Sequence, residues 1–218
     1  MGTPEFAVPV LKAIYKSGHK ILEVYTQPAK KKDRGQKIKN SPIHDCAEYY
    51  NLKVRCPVSL EANDELDHFI KLKPDLVIVV AYGKILPNKL LDLVKIPFIN
   101  VHASILPKWR GAAPIQRSIM NMDNETGVSI MKIIPKLDAG PILMQSKIKI
   151  NRETTFTDLS NEMSKLGAKL IIDTLECIEN NNVSFTDQKE LDASYARKIE
   201  KSEAKISWNV EANKIVAK

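Results

Sequence analysis

Residues 98–111, Phe-Ile-Asn-Val-His-Ala-Ser-Ile-Leu-Pro-Lys-Trp-Arg-Gly, set an amide and an imidazole two positions apart at the end of an apolar run. In an extended chain alternate side chains share a face, so Phe98, Asn100 and His102 point one way and Ile99 and Val101 the other. A carboxylate-bearing turn, Lys136-Leu137-Asp138-Ala139-Gly140, follows further along. Brought together, Asn100 offers an amide donor and His102 a donor and proton carrier. Asp138 offers a carboxylate that holds the imidazole in one tautomer and favours its protonated form. No nucleophilic Ser or Cys belongs to the set, so it suits direct transfer of an acyl group to an amine that the substrate brings.

Each residue alone also has a plainer use. Asn100 and His102 can simply satisfy backbone groups at a strand end, and Asp138 suits a turn before a glycine. The stretch Tyr82-Gly83-Lys84-Ile85-Leu86-Pro87 reads equally as a connection. What favours a site is their place in the fold, so the elements around them come next.

At 218 residues the chain has room for one sizeable domain and the start of another, and an apolar fraction of 44% suffices for a packed core. Phe6, Val10, Leu11 and Ile14 recur at helical spacing up to the stop at Gly18. Ile21 to Thr26 predicts a strand, and Ser41-Pro42 opens a helix to about Tyr50. Lys53 to Arg55 predicts a short strand, Asn63 to Leu72 a helix, Leu76 to Ala81 a strand buried on both faces, and Asn88 to Leu93 a helix before the Phe98 strand. Strands alternating with helices in this way predict an α/β fold with a doubly wound, mostly parallel sheet. In such sheets ligands bind beyond the carboxyl ends of strands, where the loops after Ala81 and His102 depart. After Gly111 the pattern changes to a helix from Ala113 to Met120 and two strands, Gly127–Ile133 and Ile142–Ile150, that can pair antiparallel. A long helix from about Thr157 to Asn180, a short strand Val183–Phe185 and a polar tail with a helix start at Asn209 complete the chain.

Charge is concentrated rather than spread. The chain carries +7, and Lys30, Lys31, Lys32, Arg34, Lys37 and Lys39 against Asp33 put +5 of it within residues 30–39. With Gly35 and few apolar residues, this segment reads as a mobile basic loop, either a solvated turn or a contact for a phosphate backbone. Cys46, Cys56 and Cys177 make no paired zinc spacing and cannot all be bridged to one another, which suits a reducing, cytoplasmic setting. No apolar run approaches the roughly 18 residues of a membrane span. Pro4, Glu5 and Pro9 interrupt any leader-like stretch.

Asn100-Val101-His102 followed by Ser104-Ile-Leu-Pro-Lys-Trp-Arg-Gly111, with Leu137-Asp-Ala-Gly-Pro141 downstream, resembles the signature of the folate-dependent formyltransferases. Gly2-Thr-Pro-Glu-Phe-Ala7, Tyr25-Thr-Gln-Pro28, Val80-Ala-Tyr-Gly83, Arg110-Gly-Ala-Ala-Pro-Ile-Gln116 and Glu125-Thr-Gly-Val128 resemble, more narrowly, the branch acting on methionyl-tRNA. Several linked motifs in order, over essentially the whole chain, are far more specific than any one of them. The resemblance implies a Rossmann-like enzyme that moves the formyl group of 10-formyltetrahydrofolate, a co-substrate, to the α-amine of methionyl-initiator-tRNA in translation initiation. No metal is implied. It implies catalytic roles for Asn100, His102 and Asp138, and folate binding by Ser104, Ile105, Leu106 and Pro107. Tyr82, Gly83, Ile85, Leu86, Leu137 and Gly140 are implied to line the pterin pocket. Lys30, Lys31, Lys32, Arg34, Lys37 and Lys39 are implied to contact the tRNA acceptor arm. A cytoplasmic monomer without membrane association is expected.

The chain departs from the family pattern in two ways. Ala103-Ser104-Ile105-Leu106 stands where the family has Gly-Ser-Leu-Leu, a change expected to be tolerated. Family members also open with an apolar strand before the Gly-Thr-Pro turn and continue into a β-barrel domain. Residues 1–180 are therefore expected to form a catalytic domain without its first strand, and 181–218 a linker and the start of a truncated second domain. Three other functions stay open: a formyltransferase for glycinamide ribonucleotide or an amino sugar, a formylfolate hydrolase, and an inactive tRNA-binding fragment. The basic segment and the Gly-Thr-Pro and Arg-Gly-Ala-Ala-Pro-Ile-Gln runs argue against the first.

Overall fold

Apolar positions at helical spacing put Val8, Val10 and Leu11 on the buried face of α1 (Val8–Lys16), which carries a proline in its first turn and ends at Ser17. The structure, a computed structural model, describes residues 1–32, 37–93 and 97–218, so Arg34 lies outside the described residues. β1 (Val24–Tyr25) leads into β2 (Lys30–Lys32) and β3 (Lys37–Lys39), which pair antiparallel with Lys30 opposite Lys39. α2 (Pro42–Tyr49) is capped by Ser41, whose Oγ accepts the His44 N–H at 3.1 Å. β4 (Val54–Arg55), α3 (Asn63–Leu72), β5 (Val77–Val79), α4 (Asn88–Leu93) and β6 (Phe98–His102) follow at the positions the sequence predicts. Beyond them come β7 (Arg110–Gly111), α5 (Pro114–Met120), β8 (Glu125–Lys132), β9 (Ile142–Lys149), α6 (Phe156–Glu179), β10 (Tyr195–Ala196) and α7 (Ala212–Val216).

β5, β6, β8 and β9 form one sheet in that order, parallel between β5 and β6 and antiparallel thereafter. β1 and β4 form a separate parallel pair. Met1 and Gly2 join the two: the Gly2 N–H donates to Tyr25 O at 2.9 Å, and the Val80 N–H donates to Met1 O at 2.8 Å. Beside Met1, at the amino ends of β1 and β5, lies a cavity of about 770 Å³ whose lining includes Val10, Leu11, Val24, Val77 and Leu175. Burial there pushes the Met1 α-amine down from 8.0 to about 5.

Helices cover both faces of the sheet. Ile99 and Val101 of β6 pack with Val128 and Ile130 of β8 against α1, α2 and α6. Val77, Val79 and Phe98 pack on the opposite face with Leu66 and Phe69 of α3 and Leu90 of α4. Strand alternation therefore leaves Asn100 and His102 on the Phe98 side, at the carboxyl end of β6.

Two elements differ from expectation. The segment predicted as a mobile basic loop is, in its described part, the β2–β3 hairpin, because strand pairing satisfies backbone groups without any apolar core. The predicted strand Val183–Phe185 does not form. Thr186 instead meets β9 at a single point, exchanging two 2.8 Å backbone hydrogen bonds with Ile142.

Candidate active site

Val79 stands opposite Asn100 in the parallel β5–β6 ladder, so the loops that follow Ala81 and His102 leave the sheet at one edge. The loop between β8 and β9 reaches the same edge. Asp138 Oδ2 accepts the Gly111 N–H at 2.8 Å and stands 3.7 Å from His102 Nδ1. His102 is only 5% exposed, and its Nε2 lies 2.9 Å from Trp109 O. A carbonyl can only accept, so Nε2 carries the hydrogen and Nδ1 is the nitrogen that faces the carboxylate. Asn100 is half-buried on the same strand face, and among the described residues its side-chain amide has no hydrogen-bond partner.

The loop after His102 is held by two residues that sequence reasoning missed. Ser129 on β8 sits opposite His102 in register. Its hydroxyl donates to Ser104 O at 2.6 Å and accepts from the Leu106 N–H at 3.0 Å and Gln145 Nε2 at 2.8 Å. One donor and two acceptor sites are thereby filled. Gln145 also donates to Leu106 O at 3.0 Å, and Ser104 Oγ closes the loop on Lys108 O at 2.6 Å. A signal did exist, since Ser129 interrupts the apolar run from Val128 to Met131 and Gln145 pairs with it across β9.

The expected folate residues divide into buried supports and exposed tips. Ser104 and Leu106 are buried, with Ile105 and Pro107 half-buried beside them. Tyr82 and Leu86 turn into the core on the α3 side, where burial, helped by the charge of Glu65, pushes the Tyr82 phenol up to about 12. The backbone of Tyr82 is fixed too, its carbonyl accepting from Thr3 Oγ1 at 2.8 Å and Gln27 Nε2 at 2.9 Å. Gly83 is exposed, and Ile85 and Leu137, 93% and 59% exposed, hold apolar side chains out at two loop tips. Gly140 is buried where a Cβ would lie 1.8 Å from Lys132 O, so only glycine lets the Asp138 loop close this tightly. Ala81, Trp109 and Asp138 have φ of 45°, 61° and 44°. A non-glycine residue in the left-handed region on each site loop marks backbone held against its preference.

The basic segment is linked to this edge. Lys30, Lys31, Lys37 and Lys39 are exposed on the β2–β3 hairpin. Lys30 Nζ donates to Gln27 Oε1, and the other end of that amide holds Tyr82 O.

Helices on both faces of a sheet, with polar residues gathered beyond its carboxyl edge, make this an α/β protein of the doubly wound class. Residues 1–175 match the Formyl transferase family, and the chain belongs to that family. A Pelagibacter ubique protein described as methionyl-tRNA formyltransferase is 52% identical over 219 residues, covering 100% of this chain and 71% of that one. A Methylococcus capsulatus protein of the same description is 44% identical over 214 residues, covering 98% of this chain and 70% of the relative. Among solved structures, an N-formyltransferase of Helicobacter canadensis in complex with folinic acid and dTDP-3-aminofucose matches with a TM-score of 0.72 at 24% identity, over 99% of this chain and 76% of that one. That likeness concerns the fold.

Proposed function

We propose that the chain transfers the formyl group of 10-formyltetrahydrofolate to the α-amine of methionyl-initiator-tRNA. The observation that carries this is the 3.7 Å approach of Asp138 to His102 beside Asn100, in a chain 52% identical along its length to a methionyl-tRNA formyltransferase. The amine nitrogen attacks the formyl carbon, and the formyl oxygen takes up negative charge in a tetrahedral intermediate. The amide of Asn100 and the Nδ1–H of a protonated His102, whose Nε2–H stays on Trp109 O, are the donors for that oxygen. Nδ1 suits the role because 3.7 Å is too long for a direct hydrogen bond to Asp138, so that carboxylate does not already take its hydrogen. Asp138 orients the ring and helps carry the amine proton to N10 of the folate as the carbon–N10 bond breaks. The products are the formylated aminoacyl-tRNA and tetrahydrofolate.

Ser104, Ile105, Leu106 and Pro107 bind the folate, with Gly83, Ile85, Leu137 and Gly140 around the pterin and Tyr82 and Leu86 supporting from the core. The exposed apolar tips of Ile85 and Leu137 support this, since a flat heteroaromatic ring gains from apolar contact. Lys30, Lys31, Lys37 and Lys39 meet the phosphates of the acceptor arm. Among the described residues no helix is long and apolar enough to cross a membrane. The likeness to methionyl-tRNA formyltransferases supports reading the protein as cytoplasmic, and a monomer is the expected state. A single-turnover assay with charged initiator tRNA and formyl-labelled 10-formyltetrahydrofolate tests the proposal, and the label is expected on methionine. Label released as free formate would make the chain a hydrolase, and label on an amino sugar or a ribonucleotide amine alone would change the acceptor. Retention of tRNA without any transfer would leave only a binding fragment.

A further inference from the structure

The segment read from the sequence as linker returns across the candidate site. Ser194 O accepts the Arg110 N–H at 2.8 Å, Ser194 Oγ accepts the Trp109 N–H at 2.9 Å, and Ala196 O accepts the Ala112 N–H at 2.9 Å. Gly111, at φ 118°, brings its backbone so close that a Cβ would lie 2.8 Å from Ala196 O. Glu190 bridges the two site loops, taking Arg110 Nη1 at 2.9 Å and Lys136 Nζ at 2.8 Å. Arg110 itself is fully buried.

At the centre of this strap both ends of one amide are used. Gln188 Oε1 accepts from Arg110 Nε at 3.0 Å, while its Nε2 donates to Asp138 O at 2.9 Å and to Gly140 O at 2.7 Å. We infer that Gln188, outside the family-matched residues 1–175, is a positioning residue that holds the Asp138–Gly140 turn so that the Asp138 carboxylate faces His102. This rests on the catalytic role proposed above for Asp138. Asp138 holds a left-handed φ of 44°, a conformation that the contacts around its turn must support. Gln188 supports it by occupying two carbonyls of that turn at once. The buried guanidinium of Arg110 fixes the other end of the amide, and the strap that carries Gln188 is anchored independently through Ser194 and Ala196.

Gln188→Glu separates the two ends of this contact. It keeps an acceptor for Arg110 and removes both donors to the Asp138 turn. A purely structural pairing with Arg110 would survive the change. Positioning predicts that kcat for formyl transfer falls by about 10–10²-fold while KM for both substrates stays within about twofold. Because the loss runs through Asp138, Gln188→Glu added to Asp138→Asn should lower kcat by less than about twofold further. Hydrogen exchange of the amides at 137–140 should accelerate in Gln188→Glu, a readout that does not depend on the reaction. If the variant fails to fold, Gln188→Met keeps the side chain's length without its hydrogen bonds and takes its place in every measurement. Wild-type kcat, full additivity with Asp138→Asn, or unchanged exchange at 137–140 would each overturn the inference. Absence of formyl transfer by the unmodified chain would overturn the proposed function instead, and the exchange measurement would still decide the role of Gln188.

Discussion

Asp138 and His102 approach to 3.7 Å without a direct hydrogen bond, while the same carboxylate oxygen accepts the Gly111 N–H at 2.8 Å. Asp138→Asn can keep an oxygen for Gly111 while it removes the charge beside the ring. If that charge assists proton movement, kcat should fall by about 10²-fold or more with little change in KM. Steady-state rates within about threefold of wild type would take Asp138 out of the chemistry.

The amide of Asn100 has no partner among the described residues, so its removal leaves no protein group orphaned. Asn100→Ala should therefore keep the melting temperature. Loss of one oxyanion donor typically costs about 10²–10³ in rate, and that is the expected fall in kcat. A single-turnover rate within a few-fold of wild type would contradict the role.

Gly140→Ala tests the packing beneath the site. A Cβ there would meet Lys132 O at 1.8 Å, which the backbone of the β8–β9 loop must move to relieve. Overpacking of this kind costs about 1–3 kcal/mol, so thermal melting should shift down. Formyl transfer should drop further than the residual folded fraction explains, since the same movement displaces Asp138. An unshifted melt would show that the loop has slack.

The backbone plan was legible because each element carried its own signal. Ser41-Pro42 announced α2, the unbroken apolar run marked β5, and alternation along Phe98–His102 put Asn100 and His102 on one face. Motif residues alone named the expected catalytic set. What stayed hidden depends on pairing across long separations. Ser129 gains its function from standing opposite His102, and Gln188 from a strap that crosses β7, neither of which leaves a periodicity. The basic hairpin was missed for a related reason: its strands are held by each other, while composition reports only charge.

Lys30, Lys31, Lys37 and Lys39 all project from one hairpin whose root is tied through Gln27 to Tyr82. Replacing them by Gln should weaken tRNA binding at low salt and leave the KM for 10-formyltetrahydrofolate unchanged. Every phosphate left without its lysine should lower the slope of log K against log salt by roughly one unit. An unchanged slope would return the hairpin to a solvated surface feature.

Arg117 of α5 grips the chain beyond β10 through a two-pronged pair with Glu203, at 2.6 and 3.0 Å, and through the carbonyls of Arg197 and Lys198. The Arg117 hydrogen bonds, helped by the Glu200 N–H, push the Glu203 carboxyl down from 4.5 to about 2. A depressed folded value means that the unfolded chain takes up the proton first. The stabilising contribution is therefore complete above pH about 4.5 and is lost as pH falls towards 2. Hydrogen exchange over 197–204, corrected for intrinsic rates, should show protection at pH 6 that weakens as the solution approaches pH 2. Glu203→Gln should weaken that protection and remove its pH dependence. Equal protection in the wild type across the acid range would mean that the ionised carboxylate does not hold this segment, and that Arg117 secures it through the two carbonyls alone.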